Sequence, residues 1–210
     1  RSSLVIPLLV SFISVLLSSP KLDLTSWLNG TYQEGYEAYL NDNFGFHDLI
    51  IRLNNQINFY GQFLLDEFSL DAVKDGNRSW KNKFGYQLGA KYYNAFNIKN
   101  LLLQLEYNHV RPYVYSHSEA ITNYGHNNQS LGHQWGGNFK EFIAIARYHK
   151  GRYFANAKVT FGERGLDFNN GTDNFNYGSN IYLSYNDSRP FDTGVNIGQG
   201  NKTSIFIADL

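Results

Sequence analysis

The chain has 210 residues, and its 18 lysine and arginine residues balance 18 aspartate and glutamate residues, so the formal net charge is zero. A neutral chain offers no electrostatic basis for binding nucleic acid, whose phosphate backbone must be neutralised. The lack of cysteine excludes disulfides and thiolate metal sites. Stability must therefore come from packing or from a membrane.

Residues 1–20 are predicted to be a signal peptide or signal anchor. The apolar run Leu4–Leu17 is shorter than the roughly 20 residues that span a bilayer, and Pro7 interrupts it. Its length fits the apolar region of a secretory signal, with small residues before Pro20 near a processing site. A buried helix is the alternative. Because the chain has no initiator methionine and stops within an alternating segment, we expect it to be a fragment.

Residues 21–58 are predicted to be helical. Apolar residues recur at three- and four-residue spacing in two groups, which are Tyr32, Tyr36, Tyr39 and Leu40, and then Leu49, Ile50, Leu53 and Ile57. Thr31 and Glu34 fit a capping box. We expect two short amphipathic helices that separate near Phe44–Phe46.

After Asn58 apolar residues recur at every second position, which predicts β-strands. The clear strands are Phe84–Asn94, Leu101–Arg111, the segment from Phe142 to Tyr148, and Tyr153–Phe161; Phe59–Phe68 is less regular, and Asn180–Asn186 and Thr203–Leu210 are weaker. This pattern predicts about seven strands over residues 59–210.

Strand lengths and connections favour a membrane barrel. The strands Phe84–Asn94 and Leu101–Arg111 have 11 residues each, close to the length of a tilted strand that crosses a bilayer. Short connections, such as Lys150–Gly151 and Ala95–Asn100, alternate with long ones, which are Ser69–Lys83, Pro112–Asn138 and Gly162–Tyr177. The fold class is therefore all-β: a partial antiparallel up-and-down transmembrane β-barrel preceded by short N-terminal helices. We expect it to be incomplete, because single-chain bacterial barrels have an even number of strands, from about eight upward.

The polar face of the strands is predicted to line the barrel interior, because lipid offers no partner to polar groups. This lumen-facing set contains Gln87, Lys91, Gln104, Glu106, Asn108, Glu141, Arg147, Asn156 and Lys158. Aromatic residues near the strand ends suit the boundary between membrane and water. A soluble antiparallel sheet or lipocalin-like barrel, with its apolar face inward, shows the same alternation and is the alternative.

Three stretches carry a resemblance to a known family: YGQFLLDEF, NKFGYQLGAKYYNAFNIKNLLLQLEYNHVRPYVYSHSEAITNYGH and GHQWGGNFKEFIAIARY. Residues 59–210 resemble the outer-membrane capsule-assembly proteins of the Wzi type, which include gliding-motility barrel proteins of Bacteroidetes. The resemblance implies a barrel in the bacterial outer membrane, in contact with lipid, that attaches or organises surface polysaccharide or supports gliding. It implies no catalysis. Capsule-export or gliding-machinery proteins are the expected partners, and we expect no cofactor.

The preceding segment, WLNGTYQEGYEAYLNDNFGFHDLIIRLNNQI, resembles the region after the membrane anchor in alginate O-acetyltransferase-like periplasmic proteins of the SGNH type. Those enzymes need a serine within Gly-Asp-Ser, and that motif does not occur in the sequence. The two resemblances meet near residues 56–60, as a gene fusion, recombination or an assembly artefact would produce. The alternative function is that of an N-terminal part of a polysaccharide O-acetyltransferase-like protein.

The loop Pro112–Asn138 contains the predicted glycan-binding residues. Sugars stack on aromatic rings and bond to amides and imidazoles, so the candidates are Tyr113, Tyr115, His117, Asn123, Tyr124, His126, Asn127, Asn128, His133 and Trp135. A loop in which these side chains only support the backbone is the competing interpretation.

Other chemistries fit the sequence less well. The spacing of His117, His126 and His133 matches no zinc signature, and Asp167–Asn174 misses the calcium-loop register. Ser116–Ser118 places serine and histidine side by side without positioning one against the other. Glu106 and Glu141 could act as paired carboxylates, but we expect them to pair with Lys91, Arg147 or Lys158 instead.

Overall fold

The computed structural model describes residues 45–210, about half of which form antiparallel β-strands. In chain order the strands are β1 Gly45–Arg52, β2 Ile57–Glu67, β3 Lys83–Tyr93, β4 Leu101–Val110, β5 Gly125–His126, β6 Gln129–Ser130, β7 Phe139–Lys150, β8 Tyr153–Leu166, β9 Phe168–Asn169, β10 Asn174–Phe175 and β11 Asn201–Asp209. The main sheet has seven strands in the order β1-β2-β3-β4-β7-β8-β11, and β5-β6 and β9-β10 are small hairpins within loops. The predicted all-β, antiparallel, up-and-down arrangement is confirmed.

Helices are few and short in the described part of the chain. Helix α1 spans Leu70–Lys74, and the Ser69 side chain caps it by accepting a hydrogen bond from the Ala72 backbone nitrogen at 3.4 Å. Single 3-10 turns cover Ala95–Asn97 and Ala120–Thr122. Within residues 45–210 no helix has the length and apolar character needed to cross a membrane.

The connections alternate in length as predicted, but the predicted loop Gly162–Tyr177 has other bounds: β8 continues to Leu166, and the loop extends to residue 200. Residues 53–56, 94–100 and 151–152 form short turns at one end of the main sheet. Residues 68–82, 111–138 and 167–200 form long loops at the opposite end. The three long loops therefore share one end of the sheet and can pack against each other.

The helical prediction for residues 21–58 is wrong over its last part. Strand β1 pairs with β2 from Gly45 opposite Leu65 to Arg52 opposite Asn58. The Asn54 side chain closes the intervening turn by accepting hydrogen bonds from the backbone nitrogens of Gln56 and Ile57, both at 2.8 Å. A short apolar run fits either period, and pairing with a neighbouring strand decided the outcome. The remaining helical prediction and the signal segment lie outside the described residues.

A second correction concerns Asn180–Asn186, which was predicted as a strand and forms turns. The Asn180 side chain accepts a hydrogen bond from the Tyr182 backbone nitrogen at 3.0 Å, so local bonding replaces strand pairing. The predicted number of strands holds for the main sheet because β1 takes the place of this segment. The sheet also crosses the proposed domain boundary at residue 58, since β1 precedes it.

The two faces of the main sheet differ in chemistry. Strand register places Gly61, Leu88, Tyr107, Phe142, Phe161 and Phe206 in one row, and Phe59, Ala90, Leu105, Ala144, Val159 and Ala208 in the next row of the same face. Leu88 is 56% exposed and Phe161 is 53% exposed. On the opposite face, Glu141 is only 3% exposed. The described residues therefore leave the apolar face open and bury much of the polar face.

The buried core lies at the long-loop end of the sheet. One cluster joins Leu64, Val110 and Phe139 near the strand ends to loop residues Val114, Tyr115 and Ile181. A second cluster contains Trp80, Tyr113 and Val195, one from each of the three long loops. Hydrophobic burial thus folds the loops into a cap and leaves the sheet without a second layer among the described residues.

Asn138 ties this cap to the sheet. Its backbone is left-handed, with φ 60°, and the residue is fully buried. The side-chain nitrogen lies within hydrogen-bond distance of the Gly165, Tyr177 and Gln199 carbonyl oxygens, at 2.9, 3.1 and 3.0 Å. The side-chain oxygen accepts a hydrogen bond from the Gly198 backbone nitrogen at 2.8 Å. One amide therefore connects strand β8 to both ends of loop 167–200.

We expect Asn138→Ala to lower the free energy of unfolding by about 3 kcal/mol, because buried backbone groups lose their partners and alanine disfavours a left-handed backbone. Urea denaturation measures the loss. Asn127→Ala is the matched control, because Asn127 is also left-handed, with φ 48°, but is exposed. Equal losses in the two variants would show that backbone strain alone explains the effect.

Candidate functional site

A chain of hydrogen bonds runs across the polar face of the sheet. Tyr60 donates to Glu106 Oε2 at 2.5 Å, and Gln104 donates to the Tyr60 hydroxyl at 2.7 Å. The Asn108 side-chain nitrogen lies 3.0 Å from Glu106 Oε1 and 2.9 Å from Glu141 Oε1. Strands β2, β4 and β7 are thereby cross-linked through side chains, which fixes the positions of both carboxylates.

Loop 111–138 joins this network through His133. The Trp135 backbone nitrogen donates to His133 Nδ1 at 3.1 Å, so the proton of the neutral ring lies on Nε2. Nε2 lies 2.6 Å from Glu141 Oε1 and therefore donates to it. This imidazole connects the loop to the sheet with a defined tautomer.

The Trp135 ring lies on strand β8 at Gly162. A side chain at Gly162 would meet the ring, since an added Cβ would be 2.4 Å from its atoms. The ring also packs edge-on against Phe139, with centroids 5.5 Å apart, and against His133 at 5.6 Å. Glycine at position 162 and the two ring contacts hold the indole over the polar face.

A cavity of about 330 Å³ lies beneath this ring. Its walls are Gln87, Glu106, Asn108, His133, Gln134, Trp135, Glu141, Ile143, Lys158, Thr160, Ile207 and Asp209. The volume is at the lower end of the range for small-molecule sites, which is about 300–1,000 Å³. An aromatic ring beside fixed hydrogen-bond acceptors is an arrangement that can bind a sugar ring. We call this feature the Trp135 cavity.

The structure brings two separate predictions together in this cavity. All nine residues of the predicted lumen-facing set lie on one face of the sheet, by strand register. Five of them line the cavity, which are Gln87, Glu106, Asn108, Glu141 and Lys158, and the loop contributes His133 and Trp135. Among the described residues no lysine or arginine forms an ion pair with Glu106 or Glu141, although Lys158 lines the same cavity and its charge acts on Glu141. Hydroxyl, amide and imidazole donors occupy those positions instead.

Two predicted glycan contacts are buried, which corrects the expectation for them. Tyr113 is 1% exposed, and its hydroxyl donates to the Asn176 carbonyl oxygen at 2.8 Å. Tyr115 is 6% exposed and stacks on Tyr124, with ring centroids 5.7 Å apart. Burial raises the pKa of Tyr115 to about 12. These rings stabilise the loop cap and are not accessible to a ligand.

The other predicted contacts in the loop lie apart from the Trp135 cavity lining. Asn123 donates to the Ala120 carbonyl oxygen at 2.5 Å and so supports its own turn. His126, Asn127 and Asn128 are exposed at the tip of the β5-β6 hairpin. Left-handed backbone at Asn127 and Asn128 forms this tight turn, which explains the choice of asparagine.

His117 belongs to a charged cluster at the edge of the cap. Its ring nitrogens lie 3.9 Å from Asp66 Oδ1 and 3.9 Å from Glu67 Oε1, and burial, followed by the charge of Lys83, lowers its pKa. The potential ligand atoms of the three residues lie within 4.8 Å of one another, and this group contains neither His126 nor His133. The buried ammonium of Lys83 already contacts Glu67 Oε1 at 2.8 Å. A bound cation would have to displace it, so the geometry fits an ion-pair cluster better than a metal site.

The sequence did not predict several of the residues that form the cavity. Gln134, Ile143, Thr160, Ile207 and Asp209 line the cavity, and Tyr60 anchors the network beside it. Strand alternation could have placed Ile143 and Thr160 on the polar face, next to Glu106 in the register. The position of Gln134 depends on the path of a loop, which periodicity does not predict.

Comparison of the chain with protein-family models, with curated proteins and with solved structures gives no match.

We expect Gly162→Ala to displace the Trp135 ring from the cavity, because the added methyl group would overlap it. Tryptophan fluorescence, referenced to the Trp135→Phe variant, should shift to the red as the indole becomes hydrated. The control is Gly61→Ala on the apolar face, where the nearest atoms are 3.2 Å away and none is aromatic. An unchanged spectrum for Gly162→Ala would contradict the described ring position.

Proposed function

We propose that the chain is part of a bacterial outer-membrane β-barrel that binds surface polysaccharide without catalysis. Its roles would be capsule assembly or attachment, or gliding motility. The apolar face of the sheet would meet lipid, and the polar face with the Trp135 cavity would face the interior. Polysaccharide and the proteins that export it or drive gliding would be the partners.

The observation that carries the proposal is the exposure of the apolar face. Leu88, Leu105, Phe142, Phe161 and Phe206 are all exposed on it, and no described element packs across them. Contiguous apolar surface of this kind marks a contact with a membrane or a partner. The buried Glu141, Asn108 and Thr160 of the opposite face would be costly against lipid and are suited to a polar interior.

Aromatic side chains at the short-turn end support a membrane boundary. Tyr153 follows the turn at residues 151–152 on the apolar face and is 69% exposed. Phe96, in the turn at residues 94–100, is also exposed. Aromatic rings are typical of both boundaries of outer-membrane barrels. The long-loop cap would then lie at the extracellular end, as long loops do in such barrels.

The arrangement of the carboxylates supports binding over hydrolysis. Glycosidases need one carboxyl group that donates a proton and a second that acts as base or nucleophile. Glu106 and Glu141 both accept hydrogen bonds from neighbouring side chains. Ser116 is buried and donates to the Tyr113 carbonyl oxygen at 2.8 Å, so it is not a positioned nucleophile. No feature of the described residues favours the acetyltransferase-like alternative.

We expect Leu88→Lys to impair membrane insertion, because lysine near the bilayer midplane on a lipid-facing strand costs about 2–4 kcal/mol. Gln87→Lys is the control, since Gln87 is the adjacent residue on the polar face. The amounts of both variants in the outer-membrane fraction of expressing cells measure the effect. Equal amounts of the two variants in the outer-membrane fraction would favour the soluble-sheet alternative. A wild-type chain that is soluble with native β-structure would favour it as well.

We expect Trp135→Ala to reduce surface polysaccharide retention severalfold, because the stacking ring is lost while the strands remain. Quantifying cell-bound and released polysaccharide gives the measurement. Ile121→Ala is the control in the same loop, where Ile121 is 93% exposed and lies away from the cavity lining. Unchanged retention by a normally inserted Trp135→Ala variant would count against a role of this cavity.

A further inference from the structure

The charged groups around the Trp135 cavity are unequal in number. Its lining contains three carboxylates, from Glu106, Glu141 and Asp209, and one ammonium group, from Lys158. Histidine is counted as neutral in this sum, as it is in the formal charge of the whole chain. The lining therefore has a formal charge of about −2, although the whole chain has none.

Two of the three carboxylates have hydrogen-bonding capacity that the described residues leave unused. Glu141 Oε1 interacts with both Asn108 and His133, whereas Oε2 accepts no hydrogen bond from the described residues. Asp209, in the last strand, is exposed and forms no ion pair within the described part of the chain. Carboxylate oxygens only accept, so the ligand must supply donors.

We propose that the Trp135 cavity binds a sugar unit without negative charge, either a neutral hexose or an amino sugar, and discriminates against uronic acids. This inference rests on the proposed function and names the class of sugar that the site takes. Hydroxyl or ammonium groups of the sugar donate to Glu141 and Asp209, while its apolar ring face lies on Trp135. A uronate would place its carboxylate among three others, with only Lys158 to offset them.

Partial enclosure of the cavity strengthens this discrimination. Repulsion between like charges becomes weaker as the effective dielectric constant or the salt concentration rises. A partly enclosed cavity contains less water than an open surface, so it rejects an anion more strongly. Specificity of this kind comes from the unfavourable contact with the wrong ligand as well as from the favourable contact with the right one.

The test uses the purified chain in detergent and three hexamers of equal length: a neutral β-glucan, a glucosamine oligomer and a galacturonate oligomer. We expect calorimetry at low salt to give galacturonate at least a tenfold weaker affinity than the neutral hexamer. The glucosamine hexamer should bind equally to the neutral one or more tightly. Added salt should reduce the gap between galacturonate and the neutral hexamer.

Three variants assign the selectivity to the cavity. Asp209→Asn leaves the hydrogen-bond network intact and should narrow the ratio of neutral to galacturonate affinity about threefold. Glu141→Gln should lower this affinity ratio further, because it removes a carboxylate. Lys158→Gln should raise the ratio, because it removes the ammonium group that offsets the carboxylates. Galacturonate binding as tight as, or tighter than, neutral binding would overturn the inference, as would a ratio that none of the three variants changes.

The outcome separates this inference from the proposed function. If galacturonate binds best while Trp135→Ala still lowers polysaccharide retention, the selectivity is wrong and the function stands. If no hexamer binds and retention is also unchanged, both are wrong. If no hexamer binds while Trp135→Ala lowers retention, the inference about the sugar class is overturned and the role of the cavity stands.

Discussion

Alternation of side chains in unbroken register is the constraint on which the rest of this structure depends. From Phe59 on β2 to Ala208 on β11, each strand pairs antiparallel with the next, so a residue on one face meets residues of the same face on both neighbours. A slip by one residue would exchange Leu88 with Gln87 and disrupt both faces together. The hydrogen bonds from Tyr60 to His133 exist only in this register.

The polar face and the loop cap are coupled through a small number of residues. His133 bonds to Glu141 on the sheet and contacts Trp135 in the loop, so the indole depends on the carboxylate for its position. Asn138 is the last residue of loop 111–138 before β7, and its side-chain amide holds loop 167–200 against β8. The cavity is thus made by the meeting of a rigid sheet with an ordered loop, as is common for binding sites.

The same arrangement explains how this chain combines stability with an open apolar face. Its buried clusters lie in the loops, where Trp80, Tyr113 and Val195 come from three different connections. The sheet itself is held by backbone pairing and by side-chain hydrogen bonds on one face. The apolar face needs an environment that accepts its side chains, and under the proposed function lipid would be that environment.

The sequence alone determined the main-sheet strands β2, β3, β4, β7, β8 and β11, their polar and apolar faces and the alternation of short and long connections, because a two-residue period is a local property of the chain. The tertiary structure decided the rest. It turned residues 45–52 into a strand through pairing with β2, and Asn180–Asn186 into turns through side-chain bonding. It buried Tyr113 and Tyr115 and left Trp135 over Gly162, although all three belong to one aromatic loop. Burial in a loop depends on contacts between distant segments, which no local pattern encodes.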